Sequence, residues 1–177
     1  MALSAAAERF LSGPLLAEVD ADARLALFRA LTTDRAPAGA RLIEEGRSND
    51  RLWFLLEGRA AVVRRVDGTD QAIARIEAPG IFGATTFFRP TPPTASIRAT
   101  SDVSLLTLDH AAHDRLRRDE PRAAEALALA TVRALAERFD LLDGRFTEFL
   151  LSHPDDHPRA NEWSTFRARL FEEPNII

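Results

Sequence analysis

The sequence contains no cysteine, which excludes disulfides, thiolate metal sites and cysteine nucleophiles. It contains no lysine either, so all 23 basic residues are arginine. Together with the abundance of alanine this reads as GC-rich, bacterial coding and carries no mechanism. Histidine occurs only at positions 110, 113, 153 and 157, so a metal site built from paired histidines on strands before Asp109 is excluded. No apolar run approaches the ~18 residues of a membrane span. Positive charge is not in excess, the formal net charge being −4, which argues against a general electrostatic grip on nucleic acid or anionic lipid. The opening MALSAAAERFLSG has no basic stretch, and Glu8 and Arg9 interrupt it, so it does not read as a signal peptide. A cytoplasmic protein is expected.

Within this frame, 177 residues suit one domain with a full core plus an appended element. From Ala5 to about Leu31 the pattern is helical, with Leu25, Phe28 and Leu31 at three-residue spacing and Asp20 or Asp22 placed to cap. From about Arg35 to Asp109 it changes to short strands. RLWFLLEG is a buried-strand run closed by Gly58, RAAVVRRV follows, and Asp67-Gly68 marks a tight hairpin before QAIARI. TASIRAT and SDVSLLTLD are two further strands. Short strands with regular turn signals predict an antiparallel β-roll or jelly roll with flanking helices. From His110 the chain is helical again, with Pro121 in the first turn of a long helix. SHPDDHP breaks that helix at residues 152–158, and NEWSTFRARLF reads as a last short helix.

The long helix carries a heptad. Ala128, Val132, Leu135, Phe139, Leu142, Phe146 and Phe149 are spaced 4, 3, 4, 3, 4, 3, an a/d seam of the coiled-coil kind. Arg138 at g and Asp143 at e stand where an interchain salt bridge forms in a parallel pair. Gly144 falls at f, on the outer face, where it either costs ~1 kcal/mol of propensity or ends the helix. The stripe is either the seam of a homodimer or a face packed on the chain's own barrel. A homodimer is favoured, because a roll needs only part of such a helix to cover it.

Five glycines punctuate the strand region: Gly39 in PAG, Gly46 in EEG, Gly58 in LEG, Gly80 in APG and Gly83 in IFG. Each suits a turn that needs positive φ or close backbone approach. In this order and at these intervals, over about residues 15–142, they resemble the cyclic-nucleotide-binding domain of the catabolite activator protein and of protein kinase A regulatory subunits. PAGARLIEEGRSNDRLWFLLEGRAAVVRR looks like that family's second to fourth strands, and SLLTLDHAAHDRLRRDEP like its last strand and following helix. The resemblance implies N-terminal helices over 1–33, the roll over 34–109, a hinge and dimerisation helix over 110–151 and a tail over 152–177.

In the family, the phosphate-binding cassette begins Gly-Glu and ends Pro-Arg-Ala-Ala/Ser. The resemblance places its glycine at Gly83 and its proline at Pro92. Ala84 then stands where the ribose-binding Glu belongs, and Pro93 where the phosphate-pairing Arg belongs. Thr94, Ala95 and Ser96 match the small, hydroxylated end, and Thr85, Thr86, Phe87 and Phe88 the cassette's short helix. The departures fall on the two residues that read the ligand. Losing an arginine that meets a buried phosphate costs about 2–5 kcal/mol, and Pro93 also removes a backbone donor. The pocket is therefore neutral. Either it suits a less charged small molecule through Thr85, Thr86, Thr94 and Ser96, or Phe87 and Phe88 fill it.

No catalytic set emerges. GATTF has no serine between glycines and is not a nucleophile elbow. His110 and His113, at a helix start, read as solvated or capping groups. His153 and His157 bracket Asp155 and Asp156, but two prolines make a loop there and no third ligand is placed, so the stretch reads as an exposed polar turn. No metal or cofactor is expected. The family's regulators carry a winged helix-turn-helix after the dimer helix, larger than the stretch that remains here. Residues 145–177 hold four Arg against six acids, whereas a recognition helix is basic, so DNA binding is not expected. The leading expectation is a non-enzymatic regulatory or interaction module that does not bind cAMP or cGMP in the usual way. The alternatives are a sensor of a cyclic nucleotide or other small molecule with altered specificity, and a docking subunit whose tail meets a protein partner.

Overall fold

The structure, a computed structural model, describes residues 19–152 together with Glu8, Leu11–Gly13, Leu16 and Ala17. The expected tail helix and the His153–His157 turn fall outside the described residues. The chain divides into two compact units, Met1–Ala134 and Leu135–Ile177. Among the described residues no helix is long and apolar enough to cross a membrane.

Helix α1 spans Ala21–Ala30, and Asp20 caps it by accepting from Ala23 N at 2.9 Å. It buries Ala23 and Leu27, while Leu25 is exposed. The expected Leu25–Phe28–Leu31 stripe is thus corrected. Leu31 already lies beyond the helix in extended backbone, so the face that packs is the i, i+4 pair.

Eight strands follow among the described residues: β1 Thr32–Ala36, β2 Arg41–Ile43, β3 Arg51–Glu57, β4 Arg59–Val66, β5 Thr69–Glu77, β6 Gly80–Phe82, β7 Ser96–Ala99 and β8 Val103–Asp109. They form two antiparallel four-stranded sheets, ordered β1-β8-β3-β6 and β2-β7-β4-β5. The expected β-roll is borne out. Its core lies between the sheets, where Trp53, Leu55, Phe82, Val103 and Leu105 meet Ile43, Ala60, Ile97 and Ala99. Alternate residues of the first sheet, Leu52, Phe54, Leu106 and Leu108, point to its other face and are buried as well. Burial on both faces is why β3 reads as an unbroken apolar run. The β4–β5 turn takes positive φ at both Asp67 and Gly68, the twist-matched hairpin turn that Asp-Gly announces.

Three helices complete the description. Short α2 spans Ala84–Phe88, α3 spans His110–Asp119 and α4 spans Pro121–Ser152. Pro121 opens α4 as expected, and α4 runs through Gly144 without ending. The first part of α4 buries Ala123, Leu127, Ala130 and Ala134. α2 packs on α3: the Phe87 ring stacks on His110 with centroids 4.4 Å apart and meets His113 edge-on at 5.4 Å. His110 Nε2 donates to Phe87 O at 2.9 Å. Both histidines are half-buried, so the expectation of solvated or capping groups is corrected. The cap of α3 is Asp109, whose carboxylate accepts from Ala112 N at 2.7 Å.

Gly83 holds φ +79°, and a Cβ there would come within 2.9 Å of Arg51 O and 3.0 Å of Trp53 Cδ1. Gly39, at φ +88°, has open space around it. Gly83→Ala should therefore lower stability by about 1–3 kcal/mol from strained backbone plus the clash, and Gly39→Ala by less, as paired thermal denaturation would show. Burial pushes the His113 imidazole below the usual histidine value, Arg117 and His110 act the same way, and Asp114 opposes them. Between that lowered value and about 6.5, the folded chain binds fewer protons than the unfolded one. Stability should be full above that window and fall as pH drops through it. Melting curves from about pH 7.5 to pH 5 should show a shallower fall for His113→Gln.

Candidate functional site

The segment from Gly83 to Ser96 leaves β6, turns into α2, and returns through an irregular stretch to β7. Gly83 itself caps α2 in the left-handed conformation. Behind it, Trp53 stacks on Phe82 with centroids 5.8 Å apart. The buried indole donates from Nε1 to Asn49 Oδ1 at 3.1 Å. Asn49 Nδ2 in turn donates to Thr86 Oγ1 at 3.0 Å and to Arg51 O at 2.7 Å. Thr86 Oγ1 in turn donates to Gly83 O at 3.1 Å. One connected set of hydrogen bonds thus ties the turn and the first residues of α2 to β3.

The far end of the segment is tied as well. Gly46 N donates to Pro93 O at 2.8 Å, and Glu45 N donates to Ser96 Oγ at 3.0 Å. Ala84 and Pro93 are both buried. Thr85 and Thr94 are exposed, Ala95 and Ser96 half-buried, and Thr86 buried. The structure thus brings Gly83, Ala84 and Thr86 together at the start of the segment, and Pro93 and Ser96 at its end against the 45–46 turn. Phe87 is buried, but against the histidines of α3, and Phe88 is exposed and edge-on to His113 at 5.7 Å. Sequence reasoning missed Asn49, Glu45, Gly46 and His110. For Asn49 a signal existed: a core tryptophan needs a partner for its N–H, and Asn49 precedes Trp53 by four positions.

Along α4, the apolar seam and the buried face are different faces. Val132, Phe139, Leu142, Phe146 and Phe149 are exposed, Leu135 is half-buried, and Ala128 is exposed. Among the described residues no three His, Asp or Glu side chains gather to hold a metal ion.

Comparison with known proteins adds to this geometry. Residues 33–120 match the family model of the cyclic nucleotide-binding domain. The chain is 26% identical over 135 residues to a CRP-like cAMP-activated global transcriptional regulator of Mycobacterium tuberculosis, over 76% of this chain and 58% of that protein. It therefore spans under two thirds of the length of that curated relative. A cyclic nucleotide-binding domain from Methylobacillus flagellatus KT shares the fold at a TM-score of 0.70 and 21% identity, covering 79% of this chain and 83% of that one. The N-terminal domain of a transcriptional regulator from Streptomyces coelicolor A3(2) superposes at 0.62 with 28% identity, covering 75% of this chain and 94% of that one. The two-sheet roll, with its glycine turn into a short helix and its helices after β8, belongs over residues 33–120 to the cyclic nucleotide-binding domain family.

Proposed function

We propose that the chain is a cytoplasmic, non-enzymatic regulatory or interaction module whose cassette is held closed by its own residues and does not take cAMP or cGMP in the family's usual way. The observation that carries this is the pair Ala84 and Pro93. Both are buried and apolar at the positions where the resemblance places the ribose-binding acid and the phosphate-binding arginine. The polar groups beside them are spent within the chain: Pro93 O on Gly46 N and Ser96 Oγ on Glu45 N. A second reading, a sensor of a less charged small molecule, is favoured by the exposed hydroxyl-bearing residues Thr85 and Thr94. In both readings the module associates as a homodimer. What supports this is the exposure of Val132, Phe139 and Leu142, at 61%, 56% and 65%, on a face of α4 that the chain's own core does not use. The module does not read DNA itself; the acidic balance of residues 145–177 supports that.

Calorimetric titration with cAMP or cGMP should give no micromolar dissociation constant. The double variant Ala84→Glu with Pro93→Arg should gain affinity, since the missing arginine alone accounts for about 2–5 kcal/mol, or roughly 30-fold to several thousand-fold. Micromolar binding by the wild type would refute the closed-cassette reading. Micromolar binding only of a neutral metabolite would favour the second. The dimer is tested separately. Phe139→Glu with Leu142→Glu places unpaired charges in the seam at several kcal/mol each, so light scattering should show the wild type as a dimer and the variant as a monomer. A wild type that is monomeric at high micromolar concentration ends the dimer reading.

A further inference from the structure

Between α2 and β7 the chain reads Arg89, Pro90, Thr91, Pro92, Pro93, with no regular secondary structure over residues 90–93. Each proline fixes φ at about −65°. Arg89, Thr91 and Pro92 each precede a proline, which pushes them to extended backbone, and Arg89 holds φ −126° and ψ 97°. The stretch has little but polyproline II backbone to adopt. Both of its ends are fixed: Arg89 N donates to Thr85 O at 3.1 Å, and Pro93, which is buried, accepts at its carbonyl from Gly46 N at 2.8 Å. Residues 88–92 are all exposed. Of residues 90–93 only Thr91 has an N–H. Among the described residues nothing donates to the carbonyls of Pro90, Thr91 or Pro92, and no carboxylate pairs with Arg89.

We propose that residues 88–92 dock a different protein, one that reads polyproline II backbone in a groove of tryptophan or tyrosine side chains with a carboxylate at its edge. The stretch offers carbonyl acceptors and almost no donors, so the N–H and O–H groups of recognition come from the partner. Trp and Tyr carry such a donor together with a flat apolar face, which suits the proline rings and Phe88. Arg89 meets the carboxylate and sets the direction in which the segment lies. A segment already stiff and held at both ends loses little freedom on docking. One cation is too few to grip a phosphate backbone, and an exposed extended segment encloses no small molecule. The described residues of a second copy do not supply the groove either. The sequence has no tyrosine, and Trp53, the only tryptophan among the described residues, is buried with its N–H given to Asn49. The inference rests on the interaction-module reading and gives it a partner chemistry; it stands whether or not the cassette takes a cyclic nucleotide.

The test places the photo-crosslinking residue p-benzoylphenylalanine at position 91 of the full chain, irradiated in cells of the native host. Mass spectrometry should map the crosslink to another protein, in a groove that carries Trp or Tyr beside Asp or Glu. An excess of the synthetic peptide FRPTPPT, residues 88–94, added to a lysate before irradiation should suppress the adduct. The same peptide with Pro90→Ala and Pro92→Ala should not. Against the purified partner, the full chain with Pro90→Ala and Pro92→Ala should bind roughly tenfold or more weakly, since the stiffness and the ring contacts are lost. Arg89→Glu should weaken binding and change its salt dependence. Both variants alter exposed side chains, and circular dichroism should show the roll intact. Adducts only with a second copy, no adduct above the unirradiated control, or a crosslink mapped to a surface without aromatic residues would overturn the proposal. So would an adduct that both peptides suppress alike, or that neither suppresses. Cyclic nucleotide titration of the same chain reports on the cassette separately, so docking segment and closed cassette fail independently.

Discussion

Strand β3 lies between β6 and β8, and its register with both decides where the helices around the site begin. Trp53 stands opposite Phe82, and Arg51 opposite Asp109. The start of β3 is therefore level with the ends of both neighbours. β6 ends at Phe82 and gives way to α2 through Gly83; β8 ends at Asp109 and gives way directly to α3. Two helices that start from the same edge of one sheet must lie near each other, which is how Phe87 and His110 come to stack although 23 positions separate them. A slip of one residue in β3 would turn Trp53 and Leu55 out of the core and Leu52 and Phe54 into it. It would also move Asn49 away from Thr86. The hydrogen-bonded hub and the helix contact are both consequences of one strand register.

The neutrality of the cassette then has an energetic meaning. A pocket that carries a buried carboxylate and a buried guanidinium is costly when empty, because each charge lacks its partner and its water. Its ligand relieves that cost. On the proposed reading, Ala84 and Pro93, both buried, stand in those places and bring no such penalty, and residues 45–46 meet Pro93 O and Ser96 Oγ. A ligand can shift an equilibrium only by its differential affinity for the two states. On the proposed reading, closure of this cassette has been detached from the family's ligand and built into the chain. On the same reading, the α2–α3 contact that would transmit closure is the one that Phe87 and Phe88 make with His110 and His113.

Much of the roll was legible in the sequence because its signals are local. Alternating and unbroken apolar runs marked β3, β4 and β8, and Asp67-Gly68 marked the hairpin between β4 and β5. The turn glycines at 39, 46, 58 and 83 all hold positive φ. What was not legible depends on contacts between distant positions. His110 and His113 looked like surface groups because nothing near them in sequence is aromatic; Phe87 reaches them through the sheet. In α1 the apolar spacing pointed to Leu25, but the buried residues are the smaller Ala23 and the next-turn Leu27. A small residue at a close approach leaves no mark in a hydrophobic pattern. The turn at Gly83 and the short helix after it were legible, whereas the use of Pro93 O and Ser96 Oγ by residues 45–46 was not, since nothing local announces a backbone partner.

Helix α4 shows the same limit in one element. Its pattern was read as one apolar stripe with two competing explanations, internal packing or self-association. The helix has two apolar faces, distinguished by side-chain size. Ala123, Ala126, Ala130 and Ala134 are buried, and small residues let a helix lie close to the layer it covers. Val132, Phe139 and Leu142 are large and stay exposed; they have bulk to interdigitate with another helix. The small residues do the internal packing, and the large ones carry the self-association proposed above. The small-residue face stops at Ala134, which is also where the first compact unit stops. Beyond it, large apolar side chains and charges predominate. On the proposed reading, a helix so built is committed to its own domain at one end and to another helix at the other.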